Sequence, residues 1–104
     1  MKFNFKSKTV LISGGTHGIG LSCVDKFLKL GAKVITFSRD EKKIKFSIKK
    51  FKKFKNNFYV VRGDVLNSNF LRDFSKLLIK KFKNIDILIH NVGGGGRWGN
   101  EEIS

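Results

Sequence analysis

Apolar residues along this chain keep two alternating rhythms. Four short runs, Thr9 to Ile12, Lys33 to Ser38, Phe58 to Arg62 and Ile85 to His90, are dominated by β-branched, aliphatic or aromatic residues and read as strands. Between them the period lengthens to that of a helix. From about Gly18 to Leu30, Ile19, Cys23, Val24, Phe27 and Leu28 share one face, while Ser22, Asp25, Lys26 and Lys29 share the other. Gly31 supplies the stop. Asp40 caps a lysine-rich helix with Ile44, Ile48 and Phe51 facing inward, its acids at the positive end and its lysines towards the negative end. A third helix starts at Asn67 or Ser68, with Leu71, Phe74 and Leu78 at helical spacing. Residues 1–8, carrying Phe3 and Phe5, read as the start of the first strand or a flap on its edge. Strands without a polar face belong to parallel sheets covered on both sides, and their alternation with helices implies right-handed crossovers. The expected fold is α/β, a doubly wound parallel sheet of strand order three-two-one-four. That order puts a ligand cleft at the carboxyl ends of strands one and four, where the chain reverses direction across the sheet.

The turn after strand one carries the most specific signal. Gly14 permits a tight turn off the strand, Gly18 lets backbone N–H groups approach a pyrophosphate, and Gly20 lets the new helix pack closely against the sheet. An anion there sits on the positive end of the helix. The spacing Ser13-Gly14-x-x-x-Gly18-Ile19-Gly20 resembles the Thr-Gly-x-x-x-Gly-Ile-Gly signature of short-chain dehydrogenases/reductases, with Ser13 keeping the hydroxyl of the usual Thr. The resemblance implies a Rossmann-like NAD(P)-binding domain, of which residues 1–104 form the amino-terminal part. It also implies a cofactor-binding set of Ser13, Gly14, Thr16, His17, Gly18, Ile19, Gly20, Ser38, Arg39, Asp64, Val65, Asn91, Val92 and Gly93.

The loops after the other strands refine this. An NAD site wants a carboxylate at the end of strand two for the ribose hydroxyls, but Ser38 and Arg39 stand there. A hydroxyl beside a guanidinium suits a 2′-phosphate, so NADP is expected ahead of NAD. The alternative is that Arg39 faces solvent and Asp40 takes the ribose. His17, where NADP-preferring members of the resembled family often carry Arg, is the second candidate near that phosphate. In that family an Asp followed by a small apolar residue after strand three bonds the adenine amine, a role that falls on Asp64 and Val65; by itself, Asp64 equally reads as the cap of the next turn. His90-Asn91-Val92-Gly93 stands where the family carries Asn-Asn-Ala-Gly, so Asn91 would brace the sheet beside the ribose and Gly93 would pass close to it. His90 is read as a core or edge histidine. Residues 93–99, with Trp98, form either a lid over the nicotinamide end or a connector.

Charge and composition change this picture little. The chain has 104 residues, 40% of them hydrophobic, and a net charge of +14 from 22 Lys plus Arg against 8 Asp plus Glu. Such a charge raises the question of nucleic acid or a membrane surface. However, the abundance of Lys, Phe, Ile and Asn, the single Ala32 and the lack of Pro fit a bias towards A+T-rich codons, and no stacking motif interleaves the lysines. No specific nucleic-acid partner, membrane segment or metal site is therefore expected. The one cysteine, Cys23, excludes an internal disulfide and fits a reducing, cytoplasmic setting.

Asn100 to Ser104 reads as a helix cap and an acidic first turn, after which the sequence stops; an amino-terminal part of a longer domain or a truncated frame is expected. In the resembled family the catalytic Ser, the Tyr-x-x-x-Lys pair and a helix Asn lie beyond this point. Tyr59, the sole tyrosine, has no Lys four residues later. The expected function is the NADP(H)-holding part of an oxidoreductase that reduces a carbonyl or oxidises an alcohol, homo-oligomeric when intact. The alternatives are a non-catalytic nucleotide-binding module, an inactive truncated product or a basic nucleic-acid binder.

Overall fold

A computed structural model describes residues 5–16, 18–64, 67–82 and 84–90. The elements follow in the order β1 (Thr9–Ser13), α1 (Gly18–Lys29), β2 (Lys33–Ser38), α2 (Glu41–Lys50), a 3-10 turn (Lys52–Phe54), β3 (Phe58–Arg62), α3 (Ser68–Phe82) and β4 (Ile87–His90). All pairings are parallel, and the sheet runs β3-β2-β1-β4, the order that the strand-helix alternation predicts. Ser13 lies level with Phe37 on one side and His90 on the other, and Ser38 lies level with Arg62. The carboxyl ends of all four strands therefore form one edge.

Alternation along the strands divides the core in two. Val10, Ile12, Val34 and Phe58 point to one face and pack with Val24 and Leu28 of α1 and with Phe51 just past α2. Ile35 and Phe37 point to the other, where Phe74 of α3 and partly buried Leu11, Tyr59 and Val61 join them. Two helices thus cover the first face and one covers the second. Aromatic pairs stiffen both layers: Phe51 meets Phe58 edge-on at 5.1 Å, and Phe37 meets Phe74 at 5.2 Å.

Each helix has a local cause. Asp40 accepts backbone N–H bonds from Lys42 and Lys43 at 2.9 and 3.3 Å and so caps α2. Asn67 does the same for α3, accepting from Asn69 and Phe70. α1 ends at Gly31, whose φ is +94°.

Some expected positions differ. Ile19 is 75% exposed, Ile48 52% and Leu71 41%, although all three share the apolar spacing of their helices. Ile19 stands in the first turn of α1, where no described element covers it. Ile48 borders a groove that it shares with β3 residues and stays half-exposed there. Strand β4 starts at Ile87 and not at Ile85, because Asp86 turns towards β1: its carboxylate accepts the Thr9 N–H at 2.8 Å and its own N–H donates to the Thr9 carbonyl at 2.9 Å. Ile85 instead joins the α3-side core.

Candidate nucleotide-binding site

The glycine turn between β1 and α1 is built from conformations that other residues resist. Gly14 has φ of +70° and Gly18, the first residue of α1, has φ of +57°. Gly14 makes the tight turn the spacing predicts. Among the described residues, a Cβ on Gly18 would meet nothing within 4 Å, so this residue is needed for its dihedral. Gly20 is buried on the inner side of α1.

Gly15, which the spacing did not single out, is the most confined residue of the turn. A Cβ there would lie 2.7 Å from Thr36 Oγ1 and 2.9 Å from a methyl of Val24. The Gly15 N–H donates to Thr36 Oγ1 at 2.9 Å, and the Thr36 hydroxyl donates to the Ile12 carbonyl at 2.5 Å. Thr36 is fully buried in β2. One hydroxyl thus ties the last part of β1 and the turn that follows it to the neighbouring strand. The signal was present in the sequence: a polar residue inside a strand buried on both faces needs partners.

The turn has the chemistry to receive an anion. Its glycines hold the backbone in a curve at a helix N-terminus, where N–H groups lack intrahelical partners. Thr16 is 2% exposed, and its hydroxyl is a buried polar atom without a hydrogen-bond partner among the described residues. Beside the turn, Ser13 Oγ and His90 Nδ1 share a hydrogen bond of 3.2 Å across the β1–β4 pair. His90 is therefore an exposed edge histidine bonded to the motif serine.

The loops after β2 and β3 meet on the same edge. Ser38 Oγ accepts the Asp40 N–H at 3.1 Å, and the Ser38 carbonyl accepts the Gly63 N–H at 2.9 Å, prolonging the ladder one residue past β3. Arg39 Nη1 lies 3.7 Å from Asp64 Oδ2. Asp40 is engaged on α2 as its cap, and the cap of α3 is Asn67 and not Asp64. Glu41 pairs with Arg62 at 3.4 Å and Lys45 at 3.7 Å. The structure thus brings together Ser13, Gly14, Thr16, Gly18, Ile19, Gly20, Ser38, Arg39 and Asp64 along one edge. His17, Val65, Asn91, Val92, Gly93, Trp98 and the helix start expected at Asn100 lie outside the described residues.

A separate groove of about 390 Å³ opens between α3 and β3, lined by Tyr59, Val61, Phe74, Leu77 and Lys81 among others. None of its lining residues belongs to the glycine turn or the loop after β2. Tyr59 donates its hydroxyl to the Asn56 carbonyl at 2.9 Å and is remote from the candidate site in the fold.

The family model described as short chain dehydrogenase matches residues 8–104. A tropinone reductase homolog of Arabidopsis thaliana is 35% identical over 97 residues, covering 88% of this chain and 35% of the relative. The crystal structure of a short chain dehydrogenase from Bacillus anthracis superposes with a TM-score of 0.77 at 32% identity, over 86% of this chain and 36% of its own. L-sorbose reductase from Gluconobacter frateurii, solved with NADPH and L-sorbose, gives 0.79 at 26% identity, over 91% of this chain and 36% of its own. The chain spans about a third of the length of the proteins it matches.

Proposed function

Because the chain belongs to the short chain dehydrogenase family, we propose that it binds NADP(H) in preference to NAD(H) as the cofactor-holding part of an oxidoreductase that interconverts a carbonyl and an alcohol. The observation that carries this reading is the glycine turn, with φ of +70° at Gly14 and +57° at Gly18, pinned by Thr36 at the start of α1.

Each candidate residue has a physical task in this reading. Backbone N–H groups from Gly14 to Gly20, including those of Thr16, His17 and Ile19, receive the pyrophosphate at the positive end of α1. Arg39 offers a planar fork of donors to the 2′-phosphate, with the Ser38 hydroxyl beside it. The Asp64 carboxylate accepts from the adenine amine, and Val65 follows it along the ring. Asn91, Val92 and Gly93 would meet the inner ribose. When bound, the nicotinamide supplies or takes up a hydride. No residue of this chain is assigned the accompanying proton transfer. The reading extends to a small-molecule carbonyl or alcohol substrate and to a cytoplasmic homo-oligomer. L-sorbose reductase, solved with NADPH, supports the choice of nucleotide.

Isothermal titration calorimetry of the 104-residue chain with NADPH and with NADH tests the proposal. NADPH is expected to bind saturably and more tightly than NADH. Arg39→Gln should weaken NADPH about ten-fold, the loss of a charge-assisted contact, with little change for NADH. Absence of binding by both nucleotides would overturn the reading.

A further inference from the structure

Arg39 and Asp64 are both assigned to the nucleotide, yet in the structure they are paired with each other, Nη1 to Oδ2 at 3.7 Å. They come from loops after adjacent parallel strands, where Ser38 lies level with Arg62. Asp64 stands on a fixed frame. The preceding Gly63 is bonded to the Ser38 carbonyl, and a Cβ on it would overlap the Phe70 ring, which packs against that backbone. The Asp64 carbonyl in turn accepts the Asn67 N–H at 2.9 Å. Arg39 is the more exposed partner, with its side chain 73% exposed against 37% for Asp64. The neighbouring acids are engaged elsewhere, Asp40 on the start of α2 and Glu41 with Arg62 and Lys45.

We infer that Asp64 sets how strongly the site discriminates a phosphorylated from an unphosphorylated ribose, acting through its hold on Arg39. The inference rests on the nucleotide reading above and goes beyond it. A guanidinium paired with a carboxylate must leave it, or share it, to meet a 2′-phosphate. A 2′-hydroxyl does not draw on the guanidinium and escapes that cost. Asp64 thus lowers NADP(H) affinity relative to NAD(H) and keeps the preference for the phosphorylated nucleotide modest. Asp64 is a positioning residue in this role, in addition to any contact it makes with adenine.

The test is the ratio of the NADH and NADPH dissociation constants, measured by calorimetry at low salt. Adenine and pyrophosphate are common to both nucleotides, so any other effect of Asp64 on them cancels in the ratio. Asp64→Asn is expected to raise the ratio about three- to ten-fold in favour of NADPH, the scale of a partly exposed charge pair. In an Arg39→Gln background the same substitution should change the ratio by less than about two-fold. Asp64→Ser provides an independent variant with the same expected direction, and matching thermal transitions certify the fold. An unchanged ratio overturns the inference while leaving the nucleotide reading intact. An equal shift in both backgrounds also overturns it, because repulsion would then act without Arg39. Failure of the unsubstituted chain to bind either nucleotide overturns the nucleotide reading and this inference with it.

Discussion

Thr36 exerts an influence out of proportion to its size. It is the polar residue among Val34, Ile35 and Phe37, fully buried, and its hydroxyl serves a donor from the glycine turn and an acceptor from β1. Thr36→Val preserves the branched shape but strands the Gly15 N–H and the Ile12 carbonyl in the interior. Leaving such groups unpaired costs about 1–3 kcal/mol. At this chain length each kcal/mol lowers the midpoint by roughly 4–8 °C. Thr36→Ser should retain both bonds and most of the stability. Thermal denaturation followed by circular dichroism checks this, and a valine variant melting within about a degree of the parent would dismiss the bridge as a source of stability. The turn demand on Gly14 was legible because it arises within the turn, whereas Gly18 was read for a close backbone approach and its φ of +57° was not foreseen. The demand on Gly15 was not legible, since it comes from Val24 on α1 and Thr36 on β2, whose approach exists only after folding. The Arg39–Asp64 pair was hidden for a related reason: it depends on two loops becoming neighbours through the β2–β3 register.

Among the helices, α2 leans heavily on its end. Of its ten residues, buried positions are limited to Ile44 and Ser47, while Phe46 and Ile48 are 57% and 52% exposed. Its exposed Glu41–Lys45 pair is worth only about 0.3–0.5 kcal/mol, whereas an N-cap is worth about 1 kcal/mol. The cap therefore outweighs the pair. Asp40→Ala should destabilise the chain by about 1 kcal/mol and Lys45→Ala by less than half of that, as read from urea titrations with an unchanged slope. Equal effects would mean that capping is not what holds the first turn. Local signals located the three helices of the described residues and the Asp40 cap, and put the start of the third at Asn67 or Ser68. Periodicity overstated how far each apolar face is covered, at Ile19, Ile48 and Leu71, because spacing defines a stripe without saying how wide the opposing layer is. It also extended the fourth strand to Ile85, since nothing in the run shows that Asp86 turns to bond Thr9.

For the whole molecule, a strong charge opposes an open apolar margin. The net charge of +14 makes like copies repel, most strongly at low salt. Against this, β4 pairs with β1 on one side only among the described residues, and its Leu88 is 67% exposed beside the thinly covered α3 face, where Ile79 is 70% exposed. An unprotected edge carrying apolar side chains is a template for pairing with another copy. The balance should shift with ionic strength, because the screening length falls from about 30 Å at ~0.01 M salt to about 3 Å at ~1 M. The 104-residue chain is expected to remain dispersed at the lower salt and to associate at the higher, as read by light scattering at constant protein concentration. Leu88→Lys, which removes an exposed apolar contact and adds a charge to the edge, should suppress that association without lowering the melting temperature by more than about 2 °C, because the side chain contributes little to the core. Scattering that is independent of salt would show that charge is not what keeps the copies apart, and scattering equal in the parent and the lysine variant would place the sticky surface elsewhere, with Ile79 on α3 the next residue to replace.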